Sequence, residues 1–380
     1  MDLIIWLITP PNNIKAFINE LPGKWKHGNV ILVCCHDVRD ERKQTGYTTE
    51  CENVREMYIL DNMDNSRVFL DTFLEAHKDD VHVFGGIRKE PAPIMYRLRK
   101  KYGLNVRIAA FTEKPAVHSG HRLKQYAKRY FYRPVYRHLF AKAKKNVDLL
   151  FVISESGIRT VRNLGWKKNN LYNFMYCDNN AVTTHSSLDV MNRPIRFLYV
   201  GRFDYEMRGV DVIMDAFDTL SEQDWELCLV GGYGAKKDEV VAWAQKNKKV
   251  TFGGIWPANQ VMEKMANYDV YICPVKEDSW NGQINMAISA GLGVITTDEA
   301  GSNELISASK AGAVIKKNDP AALRKCIESV VQDRELLRLW KLRATEYSEK
   351  ITARAVAKYF CDVLEGCFIT NNTSVNCPWL

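Results

Sequence analysis

No apolar run in this 380-residue sequence approaches the roughly 20 residues that a helix needs to span a bilayer, which excludes a helical membrane protein. Ten cysteines are present without a single CxxC pair, so the usual spacing of a structural zinc site or a dithiol centre is missing. Cys34, Cys35, Cys228 and Cys273 instead fall inside strand-like apolar runs, where free thiols of a reducing compartment behave as small hydrophobes. There is no internal repeat and no low-complexity segment, which removes solenoids and fibrous folds. The opening MDLIIWLITPP is short, carries Asp2 and lacks a basic leader; it reads as a first strand rather than a signal peptide. These features together predict a cytoplasmic protein.

The most informative absence is of negative charge. Between Glu113 and Asp148 there is no acidic residue, while Lys114 to Val147 holds ten Lys and Arg. Residues 1–180 carry 30 basic against 19 acidic side chains, or +11, and the remainder 23 against 26, or −3. The first half therefore faces something acidic, or is at least tuned to tolerate it. Tyr126, Tyr130, Phe131, Tyr132, Tyr136 and Phe140 interleave with the basic residues, and Leu123, Tyr126, Tyr130 and Phe131 share one helical face. Pro134 is expected to kink or break that helix. A basic amphipathic helix over 122–145 reads as peripheral contact with an anionic membrane. The competing reading is a solvated helix whose aromatics pack onto the domain. Nucleic acid would also suit aromatic and basic residues, but nothing else in the chain favours it.

What is present is an α/β pattern that runs twice. Strand-like runs at Leu3–Ile8, Val30–Cys35, Met57–Leu60, Val81–Gly85, Val106–Phe111 and Leu149–Ile153 alternate with helical patterns at Val68–His77, Ala92–Tyr102 and Gly157–Leu164. The polar stretch Asp178–Pro194 reads as a linker, after which runs at Arg196–Val200, Glu226–Val230, Val250–Phe252, Val270–Cys273 and Val294–Thr297 restart the alternation. This predicts two doubly wound, Rossmann-like domains, 1–180 and 195–350, with a ligand in the cleft between them. From Pro320 to Glu365 the pattern is helical. One apolar stripe is Leu323, Ile327, Val330 and Val331, and another is Val356, Tyr359, Phe360 and Val363.

The richest stretch is Asp269 to Leu305. A buried strand, Val270–Cys273, ends at Pro274; a polar loop follows, then a helix over Ile284–Ala290 closing at Gly291, then a second strand. Such a loop lies at the carboxyl edge of a parallel sheet, where ligands bind. It offers Asp278, Trp280, Asn281, Gly282 and Gln283, a set able to hydrogen-bond and stack on a polyhydroxylated ligand. Upstream, VGRFDYEMRGVDVIMDAF places Gly201 and Arg202 at a strand end and Arg208 before the helix Val210–Phe217. Two cations near a helix N-terminus suit a diphosphate, although Arg208 capping a surface helix is the plain alternative. In LVGGYG, Gly231 and Gly232 permit close backbone approach. Trp256 in VTFGGIW can stack on a base or serve as a half-buried core residue.

Pro274, Asp278 and Gly291, with Arg202, Arg208 and the Gly231–Gly232 loop, resemble the donor-binding segment of retaining glycosyltransferases of family 4, which have the GT-B fold. The resemblance implies a nucleotide-diphosphate sugar in the second domain and an acceptor, lipid-linked or a surface glycan, in the first. It also implies retained anomeric configuration, no metal and no cofactor beyond the donor. Residues 351–366 would form a helix crossing back onto the first domain. Asp278 would contact donor sugar hydroxyls, with backbone N–H groups near Trp280–Gly282 orienting the sugar; Arg202 and Arg208 would hold the diphosphate. The VTFGGIW segment would border the base. The family's second glutamate, which contacts the ribose, is Met286 here, and a thioether is a poor hydrogen-bond acceptor. Arg208 stands where lysine is usual. Glu113, in AAFTEKP, is the acceptor-side candidate, with His118 and His121 behind it. The first loop, Thr9 to Asn13, lacks the glycines of many relatives, and no residue is carried over from it. A non-catalytic GT-B sugar-nucleotide or glycan binder is the alternative, because Met286 removes one contact.

Overall fold

The computed structural model describes the chain except residues 12–13, 39–49, 116–121, 178–184 and 221–223, and it describes the backbone alone over 122–131. His118 and His121 lie outside the described residues. The chain forms two compact units, Met1–Asp178 with Ala353–Pro378, and Asn179–Thr352 with Trp379–Leu380.

The first unit runs β1 (Leu3–Leu7), α1 (Lys15–Glu20), β2 (Val30–Cys34), β3 (Glu56–Ile59), α2 (Ser66–Ala76), β4 (Val81–Phe84), α3 (Ala92–Tyr102), β5 (Arg107–Thr112), α4 (Arg122–Asn146), β6 (Leu149–Ile153), α5 (Glu155–Asn163) and β7 (Leu171–Phe174). Its seven strands lie in the order β3-β2-β1-β4-β5-β6-β7, all parallel. The near-continuous Val, Ile, Leu and Phe of β1, β2, β4 and β6 are buried because helices cover both faces of a parallel sheet. Pro134 does not break α4, which is one 25-residue helix with that proline inside it. Proline removes a single i→i−4 hydrogen bond, and the bonds on either side carry the helix through.

The second unit runs β8 (Ile195–Val200), α6 (Val210–Asp218), β9 (Trp225–Val230), α7 (Lys237–Lys246), β10 (Val250–Phe252), α8 (Val261–Met265), β11 (Val270–Cys273), α9 (Gly282–Ser289), β12 (Gly293–Thr297), α10 (Asn303–Ser309), β13 (Gly312–Ile315), α11 (Pro320–Gln332) and α12 (Arg334–Ser348). Its parallel sheet has the order β10-β9-β8-β11-β12-β13. The stripe Leu323, Ile327, Val330 and Val331 is buried on α11 in a core shared with Ile213 and Phe217 of α6.

Helix α13 (Ala353–Glu365) belongs to the first unit. The ring of Phe360 lies 5.2 Å from Phe17, 4.6 Å from Phe151 and 5.7 Å from Phe174, so its apolar stripe is bound into that unit's core. No described helix is long and apolar enough to cross a membrane.

Candidate functional site

In each sheet the winding reverses once, between β1 and β4 in the first unit and between β8 and β11 in the second. Connections leaving such a strand pair diverge and open a crevice at the carboxyl edge. Each unit has a cavity there.

In the second unit the crevice is a cavity of about 250 Å³. It is lined by Gly201, Arg202, Arg208, Gly231, Gly232, Trp256, Asn281 and Gln283, together with Tyr199, Tyr233, Ile255, Cys273 and Val275. The strand-end turn Val200–Arg202 is braced from beneath. Tyr199 donates its hydroxyl to the carbonyl of Arg202 at 2.6 Å, and Tyr271 donates to that of Val200 at 3.2 Å. Burial pushes both phenols well above their ordinary range, so they remain donors. Neither brace was legible in the sequence, where both tyrosines read as ordinary strand residues.

Gly209 caps α6 with φ of +67°, and a Cβ there would sit 2.1 Å from the carbonyl oxygen of Pro274. That close approach lays the loop before α6 against the loop after β11. The backbone N–H of Lys276 donates to Met207 at 2.8 Å, and its ammonium meets Asp211 at 2.6 Å. Arg208 and Asp278 are thereby brought together, Nη1 to Oδ2 at 2.5 Å, both about four-fifths buried. Burial works against the charge of Arg208; Asp278, and to a lesser degree Cys273, outweigh it and hold the guanidinium above its ordinary value. Arg202, in contrast, is exposed and has no ion-pair partner among the described residues. The two expected diphosphate ligands thus differ: one is free and one is already paired with the expected sugar ligand.

Trp280 is corrected by the structure. It is 2 % exposed, its indole N–H donates to Asn285 at 2.9 Å, and its backbone N–H is aimed at Asp278 at 3.3 Å. It anchors the loop and cannot stack on a ligand. Asn281 stands in the left-handed region at φ of +78° and turns its amide onto the Cys273 sulfur at 2.9 Å. Burial pushes that thiol up to about 12, so it stays protonated. Gly282 is exposed, Gln283 lines the crevice, and α9 begins at Gly282, two residues before the expected Ile284. Met286 is half-buried one turn into α9, and neither it nor Asp278, Trp280 or Gly282 is among the described residues lining the cavity. Trp256 is half-buried, 6.0 Å from Tyr268 and 5.6 Å beneath Lys264. Two lining residues missed in the sequence are Tyr233 and Ile255, 66 % and 69 % exposed. Exposed apolar side chains at a polar crevice suit a flat ring.

The first unit's cavity, about 410 Å³, is lined by Ile8 after β1, Gly85 to Glu90 after β4, Phe111 to Pro115 at the end of β5, Tyr136, Leu139 and Phe140 of α4, and Tyr176. Glu113 lies here, accepting a hydrogen bond from the Tyr176 hydroxyl at 2.7 Å. Burial, then Glu113, pushes Tyr176 well above its usual value. His36, at the end of β2, bridges Asp61 at 2.7 Å and Glu90 at 2.5 Å.

Among the described residues the one grouping with metal-ligand spacing is Asp2, His77 and Asp80. It lies at the amino edge of the first sheet, and its atoms are already engaged: His77 with Asp80, and both aspartates with backbone N–H groups.

Residues 194–333 match the family described as glycosyl transferases group 1. Over that stretch the chain is similar to the glycosyltransferases of that group. Over 202 residues, half of this chain and 48% of the relative, the sequence is 22% identical to WcaL of Salmonella typhimurium, which carries the name of a colanic acid biosynthesis glycosyltransferase. The aligned region thus spans about half the length of that relative. Among solved structures, HepE of Anabaena in complex with UDP aligns over 96% of this chain and all of its own, with TM-score 0.72 and 11% identity. WaaG, a glycosyltransferase involved in lipopolysaccharide biosynthesis, covers the same shares with TM-score 0.63 and 17% identity. The fold is therefore GT-B: two Rossmann-like units, as the sequence led us to expect.

Proposed function

We propose that this protein is a metal-independent, retaining glycosyltransferase. It takes a nucleoside-diphosphate sugar in the crevice of the second unit and an acceptor, lipid-linked or a surface glycan, in the first. The observation that carries this reading is the crevice lining: two arginines and, among the described residues, no carboxylate, at the point where the winding reverses. Such a lining neutralises a leaving diphosphate with fixed cations. HepE was solved with UDP, which favours a nucleoside diphosphate as the ligand.

In mechanism, Arg202 is the free cation for the diphosphate. Arg208 would turn from Asp278 toward the incoming phosphates, releasing that carboxylate for sugar hydroxyls. Tyr199 and Tyr271 hold the Val200–Arg202 backbone still while charge builds on the leaving group. Saturation-transfer NMR against UDP-, GDP-, ADP- and dTDP-sugars, paired with an assay for released nucleoside diphosphate, tests the reading. One donor should bind and turn over; a chain that binds none of them would refute it. Binding without turnover on any acceptor would instead favour the non-catalytic binder, which Met286 at the ribose position motivates.

The acid-free helix α4 supports a second element, attachment to an anionic membrane through residues 122–145. Arg133, Arg137 and Lys145 are exposed, as is Val135 at 62 %. Each basic residue near an anionic surface contributes about 1 kcal/mol, screened within a Debye length of about 8 Å at physiological salt. Wild type should pellet with phosphatidylserine vesicles at low salt and not with phosphatidylcholine ones. Changing Arg133, Arg137 and Lys145 to Gln should leave it in the supernatant with donor binding intact. Failure of wild type to pellet at low salt would make a soluble acceptor the better reading.

A further inference from the structure

The first unit's cavity contains more charge than a neutral glycan needs, and the charges are not balanced. Arg88, Lys89 and Lys114 line it, and none has a carboxylate within ion-pair distance among the described residues. The Arg88 guanidinium donates one N–H to the Tyr136 hydroxyl at 2.9 Å and lies 5.9 Å from that ring, which fixes its direction while leaving its other donors available. The cavity's two carboxylates are both spoken for. Glu90 is gripped by His36, whose other nitrogen is gripped by Asp61; Asp61 first, and Glu90 after it, hold this imidazole above its ordinary pKa. Glu113 is turned to the Tyr176 hydroxyl. Ile87, Phe111 and Phe140 supply an apolar wall for the face of a ring.

We infer that this cavity binds an anionic sugar, one bearing a phosphate or a carboxylate, as the acceptor's terminal residue. The inference rests on the transferase reading of the chain, since it assigns the class of acceptor. Arg88 supplies paired N–H donors to the anion's oxygens and Lys114 a second, mobile charge. Lys89 adds field without a fixed position. A neutral acceptor would leave three cations unanswered and would be better served by amide and carboxylate acceptors facing its hydroxyls.

Equilibrium binding to the full chain is measured for methyl glucoside, glucuronic acid, glucose 6-phosphate and inorganic phosphate, with a panel of donor sugars titrated into the same samples. At least one of the two anionic sugars should bind about tenfold tighter than methyl glucoside, and which one does identifies the anion. Arg88→Gln with Lys114→Gln should erase that preference. Lys78→Gln with Lys100→Gln, an equal loss of two charges outside the cavity lining, should keep it, and so should Arg208→Ala in the second unit. Equal affinity for neutral and charged sugars overturns the inference. So does a preference that survives the Arg88 and Lys114 changes, one lost in Arg208→Ala, or phosphate alone binding as well as glucose 6-phosphate. If donor binds and the preference is absent, only the acceptor class falls; if no donor binds either, the transferase reading falls with it.

Discussion

Replacing Arg208 with alanine should lower kcat/KM for the donor by about a hundredfold to a thousandfold, the usual cost of losing one preorganised donor at a developing oxyanion. The effect has two sources. The diphosphate loses a charge-assisted partner, and Asp278, about four-fifths buried and paired with Arg208 at 2.5 Å, is left with an uncompensated charge beside the donor phosphates. Arg208→Lys should do less harm, about tenfold, because it keeps the charge and loses the planar fork. Asp278→Asn separates the two sources. If Arg208 must leave Asp278 to reach phosphate, the Asn variant should bind free nucleoside diphosphate more tightly than wild type while turning over donor more slowly. A double-mutant cycle on Kd and kcat would then give coupling of opposite sign in the two quantities. Arg208→Ala within about twofold of wild type in both Kd and kcat would remove the residue from the site. Arg202→Ala should weaken binding of the same ligand with no change in folding stability, since that side chain is exposed and unpaired among the described residues.

The parts of this molecule that were readable in one dimension are those whose reasons are local. Strands such as Leu149–Ile153 and Val270–Cys273 are buried on both faces and announce themselves as unbroken apolar runs. The two strands passed over, Leu171–Phe174 and Gly312–Ile315, are the outermost of their sheets and only four residues long. One is interrupted by Asn173 and the other begins at glycine, so neither has a run to notice. The crevice in the second unit was legible as a set of loops after strands. Its internal pairing was not, because Arg208 and Asp278 meet across 70 residues, by way of the Gly209–Pro274 and Met207–Lys276 contacts. Trp280 misled for the opposite reason: an aromatic in a polar loop looks like a stacking platform. The polar partner that buries it, Asn285, lies five residues on, and that spacing is the one local hint. In the first unit the Arg88–Glu90 loop went unremarked although it follows β4, next to the first strand, where the winding reverses.

The largest loss of stability is expected at Asp269, a fully buried carboxylate that lines neither cavity. Arg193 meets it with both terminal nitrogens, at 2.6 and 2.7 Å, the backbone N–H of Arg196 donates at 2.9 Å, and Lys341 at 3.0 Å. Lys341 is itself 0 % exposed and also donates to Ser186 at 2.5 Å, tying α12 to the segment that leads into β8. Asp269→Asn leaves an ammonium buried without its counter-charge, a situation that costs about 3–5 kcal/mol. For a unit of this size that is roughly 10 °C or more in the melting of the second unit, while the first should melt unchanged. Lys341→Met should cost distinctly less, because Asp269 keeps Arg193 and the Arg196 N–H and the methionine fills the space. Burial raises the Asp269 pKa, but Arg193 first, then Lys341 and the Arg196 N–H, outweigh it and leave the group below its ordinary value. Its stabilisation is therefore fully present above the unfolded carboxylate's value of about 3.9 and lost only as pH falls through the lower folded one. Scanning calorimetry should find the gap between wild type and Asp269→Asn constant from about pH 7 to pH 5 and narrowing only in stronger acid. An Asn variant within about 1 kcal/mol of wild type, or one no worse than Lys341→Met, would show that the ion cluster is dispensable and that apolar packing alone holds α12 in place.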